Sequence, residues 1–214
     1  ENGLNSLLPN LPKIDVAIVG EPTMMQLAIA EKGLVVFDGK VEGTASHAAH
    51  PNNDNPISKL PNIIKWLENF SFEKVSNTLG PVKLTVTQIK AGNQHNVVPA
   101  CVDLVVDVRV NDCYSNKEIV AILQKDPPLT LTPRSLNLNS SSISIDHPLV
   151  KAGIELGRST YGSPTLSDQA KLSCPSLKLG PGDSTRSHTA NEFIFIKEID
   201  EAITLYINLL KKIL

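Results

Sequence analysis

The stretch LGPGDSTRSHTANEFI, residues 179–194, sets a histidine a few residues beyond a Gly-Pro-Gly turn and a carboxylate, Glu192, four residues after it. Imidazole is a common metal ligand and proton carrier, and glycine permits a backbone turn that a side chain would obstruct. Glu192 is close enough in sequence to orient the ring of His188 as a hydrogen-bond acceptor. The same residues also read as a helix-capping loop, and His188 taken alone does not choose between the two. A second carboxylate, Glu21, closes the apolar run IDVAIVGEP. That is the strand end at which open α/β sheets bind ligands. In GTASHAAHP, His47 and His50 are three apart and could share a metal on a helix. Pro51 and the Gly/Ala context favour a loop, which gives His47 a hydrogen-bonding role rather than ligation. In NQHNVVPACVDLVVDVRV, Asn96 in a loop and Arg109 on a strand could hold a carboxylate by charge-assisted bonds. An arginine on the solvent face of a sheet is the plainer reading of Arg109. None of the five histidines, at 47, 50, 95, 147 and 188, has HExxH or zinc-finger spacing.

The elements around these residues fall into two textures. Residues 14–22 form a continuous β-rich run, expected to be a strand buried on both faces of a helix-covered sheet. From Gly33 the pattern alternates, GLVVFDGKVEGTA, as in a half-buried strand. NPISKLPNIIKWLENF has helical spacing, with Pro61 expected to kink the helix or delay its start. PVKLTVTQIKAG and ACVDLVVDVRV are alternating strands, and SNKEIVAILQKD opens on a Ser cap with Glu three residues later. With LTLTPRSLNL as a last strand, residues 34–141 spell βαββαβ, two helices on one face of an antiparallel sheet. Residues 147–161 return to helical patterning, CPSLKLGPG reads as a buried strand, and KEIDEAITLYINLLKKIL as an amphipathic helix. The expected organisation is an α/β domain made of residues 1–33 and 142–214, interrupted by an inserted domain at 34–141.

With 214 residues, 41% of them hydrophobic, and 20 basic against 22 acidic side chains, the chain has the composition of a soluble globular protein. No clustered Lys/Arg run offers a footprint for nucleic acid or an anionic membrane. The three cysteines lie far apart and outside any CxxC spacing, which argues against a disulfide framework or a thiolate zinc site. No apolar run reaches the roughly 18 residues of a membrane span, so a cytoplasmic protein without membrane or nucleic-acid partners is expected. Glu1 and the following NGLNSLLPNLP read as the end of a helix and a loop, the expectation for a fragment.

Taken in order, VAIVGEPT, GTASHAAHP, NVVP with DVR, and GPGDSTRSHTANE resemble the zinc-dependent family of acetylornithine deacetylase, succinyl-diaminopimelate desuccinylase, aminoacylase and glutamate carboxypeptidase. The resemblance spans essentially the whole chain. It implies a zinc-peptidase-like three-layer α/β domain interrupted by a ferredoxin-like lid that also forms a homodimer. It assigns Glu21 and His188 to two zinc ions, one each, with cobalt or manganese as substitutes. His47 would reach the neighbouring subunit's site to stabilise the oxyanion. Asn96 and Arg109 would bind the substrate carboxylate, and the backbone of Gly180 to Gly182 would line the acyl pocket.

GEPTMMQLAIAEKGL and SLKLGPGDSTRSHTANEF look most like the branch that removes an acetyl or succinyl group from the α-nitrogen of ornithine, a step of arginine biosynthesis. Succinyl-diaminopimelate or a dipeptide is the alternative substrate, and a noncatalytic dimerisation or small-molecule-binding module the alternative of another class. The family takes its remaining ligands from an HxD motif and a bridging Asp, and its general base from a Glu-Glu pair, none of which this sequence contains. Asn191 stands where the family usually has an acidic residue. In the intact enzyme a water acidified by the metals would attack the amide carbonyl after losing its proton to that base, with His47 steadying the oxyanion. This chain alone is expected to be inactive.

Overall fold

The computed structural model describes residues 3–214; the reading of Glu1 falls outside them. Along the chain run α1 (Gly3–Leu7), β1 (Ala17–Val19), β2 (Leu27–Glu31), β3 (Gly33–Glu42), β4 (Ser46–His47) and α2 (Pro56–Asn69). Then follow β5 (Lys83–Ala91), β6 (Val97–Val98), β7 (Cys101–Val110), α3 (Asn116–Leu123), β8 (Thr130–Pro133) and β9 (Ser141–Ser142). The chain closes with α4 (Pro148–Glu155), β10 (Thr160–Ser163), β11 (Ser176–Lys178) and α5 (Ile196–Leu210). Two compact units result. One comprises Glu1–Gly33, Asn77–Leu79 and Ser140–Leu214, the other Leu34–Ser76 and Gly80–Asn139.

The second unit is a four-stranded sheet in the order β5-β7-β3-β8, with β5 antiparallel to β7 and β8 antiparallel to β3. Read as β3-α2-β5-β7-α3-β8, this is the βαββαβ order expected from the sequence. Alternation does the sorting: Val35, Phe37 and Val41 of β3 and Val102, Leu104, Val106, Val108 and Val110 of β7 are buried. They meet Ile63 and Leu67 of α2 and Ile119 and Leu123 of α3 in one core. Each such side chain contributes about 1.5–3 kcal/mol by leaving water. α3 starts on a complete capping box, with Ser115 accepting from the Glu118 amide and Glu118 from the Ser115 amide. Pro61 does not delay α2, which begins at Pro56 behind the Asn55 cap and runs through the proline. The last strand is shorter than the pattern LTLTPRSLNL suggests, ending at Pro133.

The first unit holds a mixed sheet ordered β1-β11-β2-β10, with β9 also on β2. β1 runs parallel to β11, and β10 parallel to β2. β1 was expected to be buried on both faces; it is half-buried, and among the described residues it is an edge strand paired with β11. The helical pattern of residues 147–161 breaks sooner than expected. α4 stops at Glu155, Gly157 turns the chain at φ 79°, and β10 follows, a strand that the sequence reading missed together with β2. α4 lies directly on β2, where a Cβ on Gly153 would come within 2.7 Å of Leu27. Leu27, Leu149, Leu177, Leu179, Leu205 and Leu209 form the core. α5 buries Ala202, Leu205 and Leu209, yet its outer face is not polar, since Ile196, Ile199, Ile203 and Ile207 are exposed.

Candidate metal-ligand and oxyanion site

The two motifs that carry Glu21 and His188 are sewn together although 157 residues separate their contacts. The Thr23 amide donates to the Gly180 carbonyl at 3.1 Å, the Met25 amide to the same oxygen at 3.0 Å, and the Met24 amide to the Gly182 carbonyl at 2.8 Å. The Gly180 amide returns a bond to Thr23 Oγ1 at 3.2 Å. Tyr206 of α5 donates its phenol to the Leu179 carbonyl, fixing the strand end from which the turn leaves. Gly180 is required by proximity: a Cβ there would lie 2.6 Å from the Glu21 carbonyl oxygen and 3.0 Å from its nitrogen. Gly182 is required by conformation, at φ 86°. The structure thus brings Glu21 to Gly180 and Gly182.

Past the turn, Asp183 caps a 3-10 turn at Ser184–Arg186 by accepting from the Thr185 amide and hydroxyl, both at 2.8 Å, and these bonds hold its carboxyl below the usual range. His188 follows in the left-handed region at φ 60°, its imidazole exposed. Glu192 does engage His188, but at the main-chain amide, 2.9 Å from Oε2, rather than at the ring. The expected orienting role is thereby corrected: Glu192 shapes the backbone of the loop. Arg186 forks onto Glu198 at 2.8 and 2.6 Å, and this pair with the Phe195 amide pulls the Glu198 carboxyl down to about 2.

His47 and Asn96 meet in the other unit. β4 pairs with β6, His47 opposite Val97, and the Ala48 amide donates to the Asn96 carbonyl at 2.9 Å. The loop that presents His47 is braced rather than open. Thr44 bonds Asp54 at 2.7 Å, Asn52 bonds Ser46 at 2.7 Å, and a Cβ on Gly43 would strike the Asp54 carbonyl at 2.3 Å. His47 Nδ1 accepts the Ala49 amide at 3.1 Å, so in the neutral ring the proton sits on Nε2, which makes no hydrogen bond among the described residues. Of Asn96 and Arg109, expected to hold one carboxylate together, Asn96 precedes β6 and Arg109 lies next to the last residue of β7. Cys101 to Arg109 spans about 26 Å at ~3.3 Å per residue. Arg109 instead chelates Asp107 on its own face, Nε to Oδ1 at 2.7 Å and Nη2 to Oδ2 at 3.0 Å.

As donors, the Glu21 carboxylate and the His188 imidazole suit zinc, cobalt or manganese. As a set they fall short of the three or four protein ligands that zinc takes. Among the described residues no three His, Cys, Asp or Glu side chains converge to hold a metal ion. Nor is any helix among them long and apolar enough to cross a membrane.

The sequence reading also missed a buried ion pair. Glu31 at the end of β2 and Lys178 at the end of β11 meet at 2.8 Å with side chains 0% and 3% exposed. Lys178 also donates to Ser163 and Thr165, and Glu31 accepts from Ser167. The signal was a lysine inside an apolar strand pattern, SLKLG.

Residues 29–127 match a family described as the peptidase dimerisation domain of the M20 type. The succinyl-diaminopimelate desuccinylase of Erythrobacter litoralis is 27% identical over 211 residues, covering 91% of this chain and 56% of that protein. The chain therefore spans about half the length of the curated relative it matches. A tripeptidase from Staphylococcus aureus superposes with a TM-score of 0.74 at 18% identity, over 98% of this chain and 60% of its own. A Bacillus subtilis protein described as a dinuclear metal-binding peptidase of the M20 family superposes with a TM-score of 0.62 at 13% identity, over 96% and 59%. The fold is accordingly the mixed α/β fold of M20 peptidases, with their dimerisation domain inserted.

Proposed function

We propose, from a chain that carries an M20 peptidase dimerisation domain within an α/β frame, that it is part of a metal-dependent amidohydrolase acting on a small N-acyl amino acid. The observation that carries the reading is the stitching of the Glu21 strand end to the Gly180–Gly182 turn that leads to His188. Glu21 and His188 contribute one ligand each to a two-zinc centre, whose other ligands and general base come from outside these residues. When bound, the metals supply an acidified water. The chain's own residues do the positioning. The rigid turn fixes both donors on one edge, and the Nε2 proton of His47 is available to an oxyanion. The dimerisation domain supports pairing of two copies, which lets His47 serve its neighbour's site. Arg109 and Asn96, separated along β7, each contact substrate singly rather than as a clamp.

Succinyl-diaminopimelate is the favoured substrate, since the curated relative is a desuccinylase of that compound. The acyl-ornithine branch and its place in arginine biosynthesis find no support in these relatives and are not retained. The test is the protein expressed with the coding sequence that adjoins it, loaded with zinc and offered succinyl-diaminopimelate, succinylornithine and acetylornithine. Succinate release, fastest from the first, with a loss of at least 1,000-fold in Glu21→Ala or His188→Ala, is expected, as for removal of a group needed at the reacting centre. Inertness of the zinc-loaded protein towards all three would refute the reading and leave a noncatalytic dimerisation module. Because two donors do not make a closed site, the 214-residue chain by itself should show no turnover.

A further inference from the structure

We infer that Arg186 is a positioning residue that holds the His188 loop in its ligand-presenting shape by locking it to Glu198 at the start of α5. The inference rests on reading His188 as a metal ligand, but its geometry stands apart from any metal. The Arg186 guanidinium makes a two-point fork with Glu198, at 2.8 and 2.6 Å, and both side chains are mostly shielded, 19% and 25% exposed. The guanidinium carbon lies 5.0 and 5.1 Å from the ring centroids of Phe193 and Phe195, which meet edge to face. Glu198 also accepts the Phe195 amide at 3.0 Å, and the Arg186 carbonyl accepts the Thr189 hydroxyl at 2.8 Å. Residues 187–192 are thus a short arc whose two ends are tied to one side chain.

His188 sits inside that arc in a left-handed conformation, which costs a non-glycine residue about 1–2 kcal/mol. Without the tie, the backbone relaxes towards the allowed regions and the imidazole swings away from its present direction. A lysine at 186 keeps the charge but not the planar fork, nor the stacking on two aromatic rings. The device predicts that geometry, rather than charge, is what the loop needs.

The test uses the 214-residue chain with Arg186→Gln, Arg186→Lys and Glu198→Gln, and three readouts: thermal unfolding, hydrogen exchange of the His188 amide, and a Zn2+ titration followed at the His188 ring by NMR. The expected result in Arg186→Gln is at least a tenfold faster exchange at His188 and at least a threefold weaker Zn2+ response, with the unfolding of the rest unchanged. Arg186→Lys should resemble the Gln variant, and Glu198→Gln should fall between it and the parent. Unchanged exchange and Zn2+ response in the Gln variant would overturn the inference, as would full rescue by lysine. Faster exchange together with a parent His188 that ignores Zn2+ upholds the positioning role and rejects the metal-ligand reading instead. Should Arg186→Gln fail to fold, Glu198→Gln decides by the same readouts.

Discussion

Replacing Lys178 by methionine tests how the sheet that bears the candidate site is held. The ammonium group is 2.8 Å from Glu31 Oε2 and 3.1 Å from both Ser163 Oγ and the Thr165 carbonyl, all at the ends of adjoining strands. Methionine fills a similar volume, so little of the effect is a cavity. What remains is the Glu31 carboxylate, fully buried, with the Ser167 amide and hydroxyl as its remaining donors among the described residues. Leaving one member of a buried pair uncompensated costs about 3–5 kcal/mol. At a urea slope of ~2 kcal/mol per molar, the unfolding midpoint of this unit should fall by about 2 M. Trp66 lies in the other unit, so the transition is best followed at Leu179 and Tyr206 by NMR. Adding Glu31→Gln removes the stranded charge while keeping an acceptor for Ser167. The double variant should therefore be about 2–3 kcal/mol better than the sum of the singles. A loss below about 1 kcal/mol in Lys178→Met, or strict additivity in the cycle, would show that the pair does not hold the sheet's end.

Two further outcomes follow from the turn and its neighbour. Gly180→Ala drives a methyl group into the Glu21 backbone, which cannot yield as a side chain can, and should cost about 1–3 kcal/mol or more. Gly182→Ala meets Ile194 only at 3.4 Å and bears the left-handed strain alone, so it should cost about 1 kcal/mol; thermal unfolding giving the reverse order would contradict the contact argument. Glu198 has a folded value of about 2 against an ordinary 4.5, a depressed carboxylate, so its contribution is complete above about 4.5 and is lost as pH falls through about 2. Carboxyl NMR titration should find Glu198 ionised at pH 3.5 and the Phe193 and Phe195 rings unperturbed until lower pH, whereas titration at its ordinary value would deny the fork.

What the sequence could show depended on how far each cause reaches along the chain. The inserted unit was legible because β3 and β7 alternate cleanly and Ser115 and Glu118 form a cap within one turn. β10 was not, because the residues from His147 on keep a helical spacing and only the positive φ of Gly157, a property of the folded backbone, ends the helix. Glu31 and Lys178 are polar residues in apolar strand patterns, and each is tolerated only because the other, 147 positions away, is buried beside it. Glu198 sat within a legible helix, yet its partner Arg186 lies in a loop where no periodicity predicts a contact. Asn96 and Arg109 sit close together in the sequence pattern, yet most of the length of β7 lies between Cys101 and Arg109, a separation that adjacency in sequence does not show.

The distribution of backbone strain bears on the site independently of any motif. Among the described residues the non-glycine positions with positive φ are Met24 at 52°, Met25 at 56° and His188 at 60°. All three flank the Glu21 and Gly180–Gly182 junction, two following Glu21 and one following the glycine turn. Such conformations cost of order 1–3 kcal/mol each and persist only where surrounding bonds over-determine them. Here the amides of Met24 and Met25 are held by the carbonyls of Gly182 and Gly180, and that of His188 by Glu192. A fold seeking stability alone would place glycine or asparagine at these positions. Strain kept at three side-chain-bearing residues, on both sides of one junction, is what the proposed placement of Glu21 and His188 would require.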